Sequence, residues 1–362
     1  SSGAEWLTVN NNILSGTPDH HDGGLHTILI TVDDNDGGII EQSYTLAVAV
    51  HSLEITHSGY RMMSSPVSGA VYSDLLDELW TQGSINSDLY WGDPNLFTYE
   101  ENWAPVLDLN TQQLAAGEGF LMYVFADTDW DGEDDLPAVI SIDGDLNDSP
   151  VSIATSSSDW NLIGNPYGLP VDINQMLTDN NTFNSTIYVL DQENPGYKTH
   201  NGTVGDIVDG SIKPFEGFWV QAGPEGSNFN FTEESVLSGS VGTERTSTDN
   251  ESNGSAVFNF STGDFSSSVY LSFTPEGEVN LDPSDAHRFV PMEPSTHLTS
   301  MVYESTKSLA INNLPLEMNT DITLDMDVMM LEPSDAGYET QQSQVNMSWD
   351  MSNLPEGINV AL

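Results

Sequence analysis

One passage of the chain is written twice, and this repeat constrains the fold more than any other feature. Gly59-Tyr60-Arg61-Met62-Met63-Ser64-Ser65-Pro66 lines up with Asp159-Trp160-Asn161-Leu162-Ile163-Gly164-Asn165-Pro166. Further on, Glu118-Gly119-Phe120 returns as Glu216-Gly217-Phe218. From Pro66 to Phe120 is 54 positions and from Pro166 to Phe218 is 52, so two separate landmarks recur at nearly one spacing. Such self-similarity marks a structural unit that is used repeatedly. Each unit reads as an aromatic-led strand, a turn at Pro, a short helix, a variable loop and a closing Gly-Phe strand. The two units are expected to pack as a pseudo-symmetric pair.

Around the repeat, strand signals dominate. Alternating or β-branched runs occur at 26–32, 43–50, 119–125, 138–142, 186–190, 217–222, 257–260, 269–273, 300–303, 322–331 and 345–349, nearly all bounded by Gly, Pro, Asn or Asp. Many short strands with frequent turn signals predict an all-β fold of tandem β-sandwich modules. Two short helices are expected, the better one over 73–80 with Ser73 as its cap and a weaker one over 172–177. The expected division is a partial cadherin-like or immunoglobulin-like sandwich at 1–52, repeat units at 53–155 and 156–237, a polar Ser/Thr/Asn/Gly linker at 238–256, and a C-terminal β-sandwich at 257–362. Trp6-Leu7-Thr8-Val9 opens the chain as though part-way through a domain. Residues 358–362 read as a strand at its end, so the sequence is expected to be part of something longer.

Charge narrows the function. Asp and Glu number 56 against 6 Lys and Arg, a formal net charge of −50. Nucleic-acid backbones and anionic membrane surfaces both require clustered Lys and Arg, so neither is an expected partner. The self-repulsion favours solubility at some cost in compaction, and divalent cations or salt relieve it. With no Cys, disulfides, thiolate metal sites and Cys nucleophiles are excluded. No apolar stretch approaches the ~18 residues of a membrane span, and no leader is visible. The 8 Trp, 12 Tyr and 13 Phe argue against a disordered chain.

The sharpest chemical motif is Asp127-Thr128-Asp129-Trp130-Asp131-Gly132-Glu133-Asp134-Asp135. It places carboxylates at positions 1, 3 and 5, glycine at 6 for the turn and an acid at 9, spacing that curls alternate side chains toward one point as calcium requires. Asp127, Asp129, Asp131, Glu133 and Asp135 are the candidate ligands. Position 12 is Ala138, so the usual bidentate Glu is missing and Asp143 or Asp145 would have to contribute. A solvated acidic turn is the competing reading. Asp33, Asp34 and Asp36 form a second calcium candidate, set against an ordinary turn. His20-His21-Asp22 reads as a polar loop. Trp91 and Trp103, in the aromatic-rich variable loop of the first unit, are candidates to stack on a sugar or partner, with core packing as the alternative. No G-x-S-x-G elbow and no H-E-x-x-H is present, and carboxylates are too numerous for any pair to be informative. The chain is therefore expected to be non-catalytic.

Two resemblances add to this. Trp6-Leu7-Thr8-Val9, Leu14-Ser15-Gly16-Thr17-Pro18 and the acidic turn between the next two strands resemble the C-terminal half of cadherin-like repeats of bacterial surface proteins, in which such acids often hold calcium at domain junctions. Tyr60 through Pro66, Ala116 through Phe120, Trp160 through Tyr167, Phe215 through Val220, Asp285-Ala286-His287-Arg288-Phe289, Leu309 through Pro315 and Trp349 through Gly357 together resemble the region ahead of the sorting signal in large proteins exported by the type IX secretion system. The resemblance implies an extracellular or cell-surface location and an accessory β-architecture. The expected roles are a calcium-stabilised adhesive or structural module, a filament subunit completed by strand addition, or an accessory carbohydrate-binding region of a secreted hydrolase. The expected partners are other surface proteins, copies of the chain itself, or polysaccharide.

Overall fold

The computed structural model describes residues 6–361 except 11–12, 19–21, 23, 34–35, 37, 157–159, 224–227, 238–252 and 319. The fold is all-β, with strands making up nearly all of its regular structure. Two short helices are present in the repeat units, as the sequence predicts, but their ranking is reversed. The first covers only Tyr72–Leu76 and is entered from Val71, not capped by Ser73. It is held instead by the Asp74 carboxylate accepting from the Val71 N–H at 2.9 Å. The second, Ile173–Asp179, is longer because Asp172 is a true N-cap whose Oδ1 accepts from the Gln175 N–H at 2.9 Å.

The repeat is a repeat of topology. In the first unit, four strands lie in the order Gly59–Met63, Phe120–Val124, Leu96–Glu100, Asn102–Pro105, all antiparallel. In the second the order is Trp160–Gly164, Gly217–Gln221, Ile187–Leu190, Tyr197–His200. Each unit adds a two-stranded sheet made of the strand before its first and the strand after its last. Ser52–Ile55 pairs with Ala138–Ser141 in one, and Val151–Ala154 with Asn228–Phe231 in the other. Each pair of sheets encloses its own core. Ile55, Met63, Phe120, Met122 and Ile140 lie in the first, and Ile163, Phe218, Val220, Phe229 and Phe231 in the second.

The aligned motifs meet at the pseudo-twofold axis. Met63 bridges to Glu216, and its counterpart Ile163 bridges to Glu118, the counterpart of Glu216. Ser64 N–H donates to Phe215 O at 2.9 Å, and Gly164 N–H donates to Gly117 O at 2.8 Å. Ser64 and Gly164, which occupy equivalent places in the two units, touch across the axis. A Cβ on Gly164 would lie 2.3 Å from Ser64 Cβ and 2.8 Å from Glu118 O. Glycine at this position allows two backbones and a side chain to approach more closely than any larger residue permits.

The outer faces of both four-stranded sheets are also buried. Met62, Leu121, Leu162, Tyr188, Leu190 and Trp219 form a third core with Ala286, Ala310 and Ile311 of the C-terminal module. That module is one curled sheet of eight strands. All its pairings are antiparallel except Phe265–Thr274 with Lys307–Pro315, which run parallel from Tyr270 opposite Ile311. Its own core holds Phe258, Phe260, Val269, Phe273 and Val302. The terminal stretch expected as a strand is not one. The last strand is Asn346–Asn353, and Ile358 and Val360 pack on the core from irregular chain.

The N-terminal segment is two hairpins. Thr8–Asn10 pairs with Ile13–Ser15, and Gly24–Asp33 pairs with Ile39–Val48 in unbroken register. The long hairpin buries Ile28 and Val48, but Ile39 and Ile40 are 65% and 69% exposed.

Candidate functional site

The loop expected to hold calcium leaves the first unit's sheet after Phe120–Val124 and returns at Ala138–Ser141. It closes on itself through its own carboxylates. Asp127 Oδ2 accepts from Gly132 N–H at 2.8 Å and its Oδ1 from Asp131 N–H at 3.1 Å. Asp129 Oδ1 accepts from Asp131 N–H at 3.1 Å. Asp135 Oδ2 accepts from both the backbone N–H and the hydroxyl of Thr128, at 2.7 and 3.0 Å. These bonds hold the Asp135 carboxyl below the usual carboxylate range, the Thr128 N–H contributing most. The coil needs the left-handed region at two places, Trp130 (φ 64°) and Gly132 (φ 96°). Glycine takes this conformation freely, and tryptophan does so at a cost.

The result is a cluster in which one carboxylate oxygen from each of Asp127, Asp129 and Asp135 lies within 4.8 Å of the others. Two of the five expected ligands stand outside it. Asp131 Oδ1 is occupied by the Glu133 N–H at 2.9 Å, and Glu133 itself is exposed. Asp143 and Asp145 are not in the cluster either. Three like charges this close repel one another, and a divalent cation would turn that repulsion into attraction. Calcium takes 6–8 oxygens. Three carboxylates supply between three and six, with carbonyls or water to complete the shell.

The second calcium candidate has no comparable geometry among the described residues. Asp34 lies outside them, Asp33 ends the long hairpin's first strand, and Asp36 is exposed. His20 and His21 are likewise outside the described residues.

The two Trp candidates differ. Trp91 is 87% exposed, with only the ring of Tyr90 edge-on at 4.5 Å. Trp103 is 38% exposed and wedged between Tyr99 at 5.1 Å and Trp219 at 5.6 Å, so it helps join the two units. Trp130 is not among the residues that sequence spacing singles out. This ring, 59% exposed, stacks on Trp80 at 5.2 Å with 24° between planes, and Phe125 packs edge-on at 5.7 Å. The stack anchors the acidic loop to the helix-bearing loop of the first unit and offsets the strained backbone at Trp130. The signal was in the sequence, as an aromatic at the fourth position of a loop otherwise made of acids and glycine.

No known protein family matches the chain, and neither a curated protein nor a solved structure is similar to it.

Proposed function

We propose that this chain is a non-catalytic, extracellular structural or adhesive module of a bacterial surface protein, stabilised by calcium at the loop of Asp127, Asp129 and Asp135. The observation that carries the reading is that loop's geometry, with three carboxylates converging over backbone turned by Trp130 and Gly132. The extracellular setting is supported by a composition that excludes thiol chemistry and carries 56 acids, and by the resemblance to exported surface proteins. Calcium titration of the intact chain tests it. One equivalent should bind with heat release and raise the unfolding temperature. Asp127→Asn, which keeps an acceptor but removes a charge, should weaken binding by about tenfold or more. Binding of equal strength in Asp127→Asn, or no binding at millimolar calcium, refutes the site.

One observation favours a second reading, in which the chain is a subunit completed by a strand from a neighbour. A two-stranded hairpin is marginal alone, yet among the described residues no strand pairs with the outer edges of Gly24–Asp33 and Ile39–Val48, which carry exposed Leu25, Leu29, Ile39 and Ile40. An exposed apolar edge is a template for strand addition. Light scattering that finds only monomers at every concentration sinks this reading and leaves the first intact.

A further inference from the structure

A cleft of about 230 Å³ lies where the second unit meets the C-terminal sheet. Its lining concentrates what the rest of the chain lacks. Lys198 and Arg288, two of only six Lys and Arg, face it, with His297 beside them. Lys198 is paired with Asp191 at 3.2 Å, but neither of the ion pairs among the described residues includes Arg288. The Arg288 guanidinium gives one N–H to the carbonyl of Ser268, and its Nε is buried with no partner. Asp206, which lines the same cleft and whose charge acts on Arg288, also accepts from the Tyr270 hydroxyl at 3.0 Å and from Thr199. A guanidinium withdrawn from water with no acid at ion-pair distance is costly even with that charge nearby. Its remaining Nη N–H groups can still donate to an anion in the cleft.

The remaining lining sets what carries the anion. Tyr197 and Phe289, edge to face at 5.4 Å, form an apolar wall. Ser266, Ser267 and Asp191 present hydroxyl and carboxylate groups around it. An isolated inorganic anion needs only the cations. An apolar wall beside donors and acceptors fits a polyhydroxylated ring. The volume falls below the roughly 300–1,000 Å³ of drug-sized sites, which is room for a single ring.

We propose that this cleft binds an acidic sugar, with Arg288 taking the carboxylate, Lys198 and Asp191 the ring hydroxyls, and Tyr197 the apolar face. The site is separate from the calcium loop, which contributes no residue to it, so either can fail alone. The test is a titration of the intact chain with glucuronate, with glucose, which lacks only the carboxylate, and with inorganic sulfate. Two-dimensional NMR would be read at about 0.15 M ionic strength, where the Debye length is about 8 Å and the net charge is largely screened. Saturable shifts in Tyr197, Ser267 and Arg288 with glucuronate, at least about tenfold weaker with glucose, are expected. Arg288→Gln should abolish the difference between the two sugars. Should that variant fail to fold, Lys198→Met, on the exposed rim, should still weaken glucuronate several-fold. Glucose binding as tightly as glucuronate, sulfate binding as tightly as glucuronate, no saturable glucuronate binding, or Lys198→Met leaving it unchanged would each overturn the proposal.

Discussion

Adding one methyl group at Gly164 should destabilise the paired repeat units more than the same change at Gly119 or Gly217, the axis glycines that share its ordinary backbone region. The new carbon would stand 2.3 Å from Ser64 Cβ, more than an ångström inside the ~3.5–4.0 Å carbon–carbon optimum. It would also stand 2.8 Å from Glu118 O. Neither atom is the end of a flexible side chain. Ser64 is fixed by its backbone bond to Phe215 O, and Gly164 by its own to Gly117 O. Relief therefore requires one unit to shift against the other, and overpacking of this kind typically costs 1–3 kcal/mol. With a urea m-value of about 2–3 kcal/mol/M, the unfolding midpoint followed by Trp fluorescence should fall by about 0.3–1.5 M. The equivalent substitutions grade the effect. Gly119→Ala approaches Ile163 O at 2.8 Å and Gly217→Ala approaches Met63 O at 3.0 Å, so both should cost less, in that order. Ser64→Gly alone should cost about 1 kcal/mol, because its hydroxyl donates to Asn165 O at 2.9 Å. Combined with Gly164→Ala it removes the closest clash, so the pair should be more stable than the sum of the single effects by about 1 kcal/mol. A midpoint for Gly164→Ala indistinguishable from wild type, or strictly additive single effects, would refute the idea that the repeated motif is conserved between the units by contact across the axis.

Stability should fall as pH rises from about 4 to 8. Burial pushes Asp285 up to about 7 and Glu216 to about 6, so below these values the folded chain keeps protons the unfolded chain has released. The cost is complete only above pH 7. His200, lowered to about 4 by burial, opposes this between pH 4 and 6.5, since there the unfolded chain binds the extra proton. Asp285→Asn should flatten the net slope in thermal scans between pH 5 and 8, and a wild type more stable at pH 8 than at pH 5 would contradict the assignment. Tyr188→Phe should cost about 1–3 kcal/mol, because the fully buried hydroxyl accepts the His287 N–H at 2.8 Å and its loss orphans that donor. An unchanged urea midpoint would show that water or another group replaces it.

The repeat was legible because its motif has two jobs at once. Met63-Ser64 and Ile163-Gly164 must both pair with the closing strand of their own unit and fit against the other unit, which leaves little freedom in residue choice. The strands themselves are legible from composition and turn residues, and each expected run from 26–32 to 345–349 overlaps a strand, 322–331 only from Asp325 onward. The helix caps were misjudged because Ser73 is a good capping residue in isolation, whereas the Asp74 carboxylate closes that turn in the fold. The acidic loop shows the limit of spacing arguments. Positions 1, 3 and 9 converge, but Asp131 at position 5 is drawn away by a local Asx-type bond to Glu133 N–H, a competition sequence spacing does not reveal. The cleft at Arg288 was not legible at all, since it is assembled from residues 191 to 299 by packing between modules.

The feature with the widest consequence was present in the sequence as a pattern with two meanings. Phe120-Leu121-Met122 and Phe218-Trp219-Val220 do not alternate apolar with polar, as a strand with one wet face would. Each central residue, Leu121 or Trp219, points into the core shared with the C-terminal module, while its neighbours point into the core of its own unit. A short continuous apolar run marks burial on both faces, but it does not say what covers the second face. In this chain the cover comes from Ala286, Ala310 and Ile311, far along the sequence, and the hydrogen bonds from Ser185 N–H to Pro283 O at 2.8 Å and from Asn201 Nδ2 to Ser272 Oγ at 2.9 Å tie it down. A polar, Ser- and Thr-rich stretch at 238–256 invites the picture of two independent bodies on a tether. The shared core makes that stretch a connection between parts that already stabilise one another. Tyr188, fully buried and stacked on Phe289 of the C-terminal module at 4.7 Å, is of the size that contributes about 1.5–3 kcal/mol when buried, and it depends on that module for its cover. The repeat pair and the C-terminal sheet are therefore expected to unfold together, with the cleft at Arg288 between them.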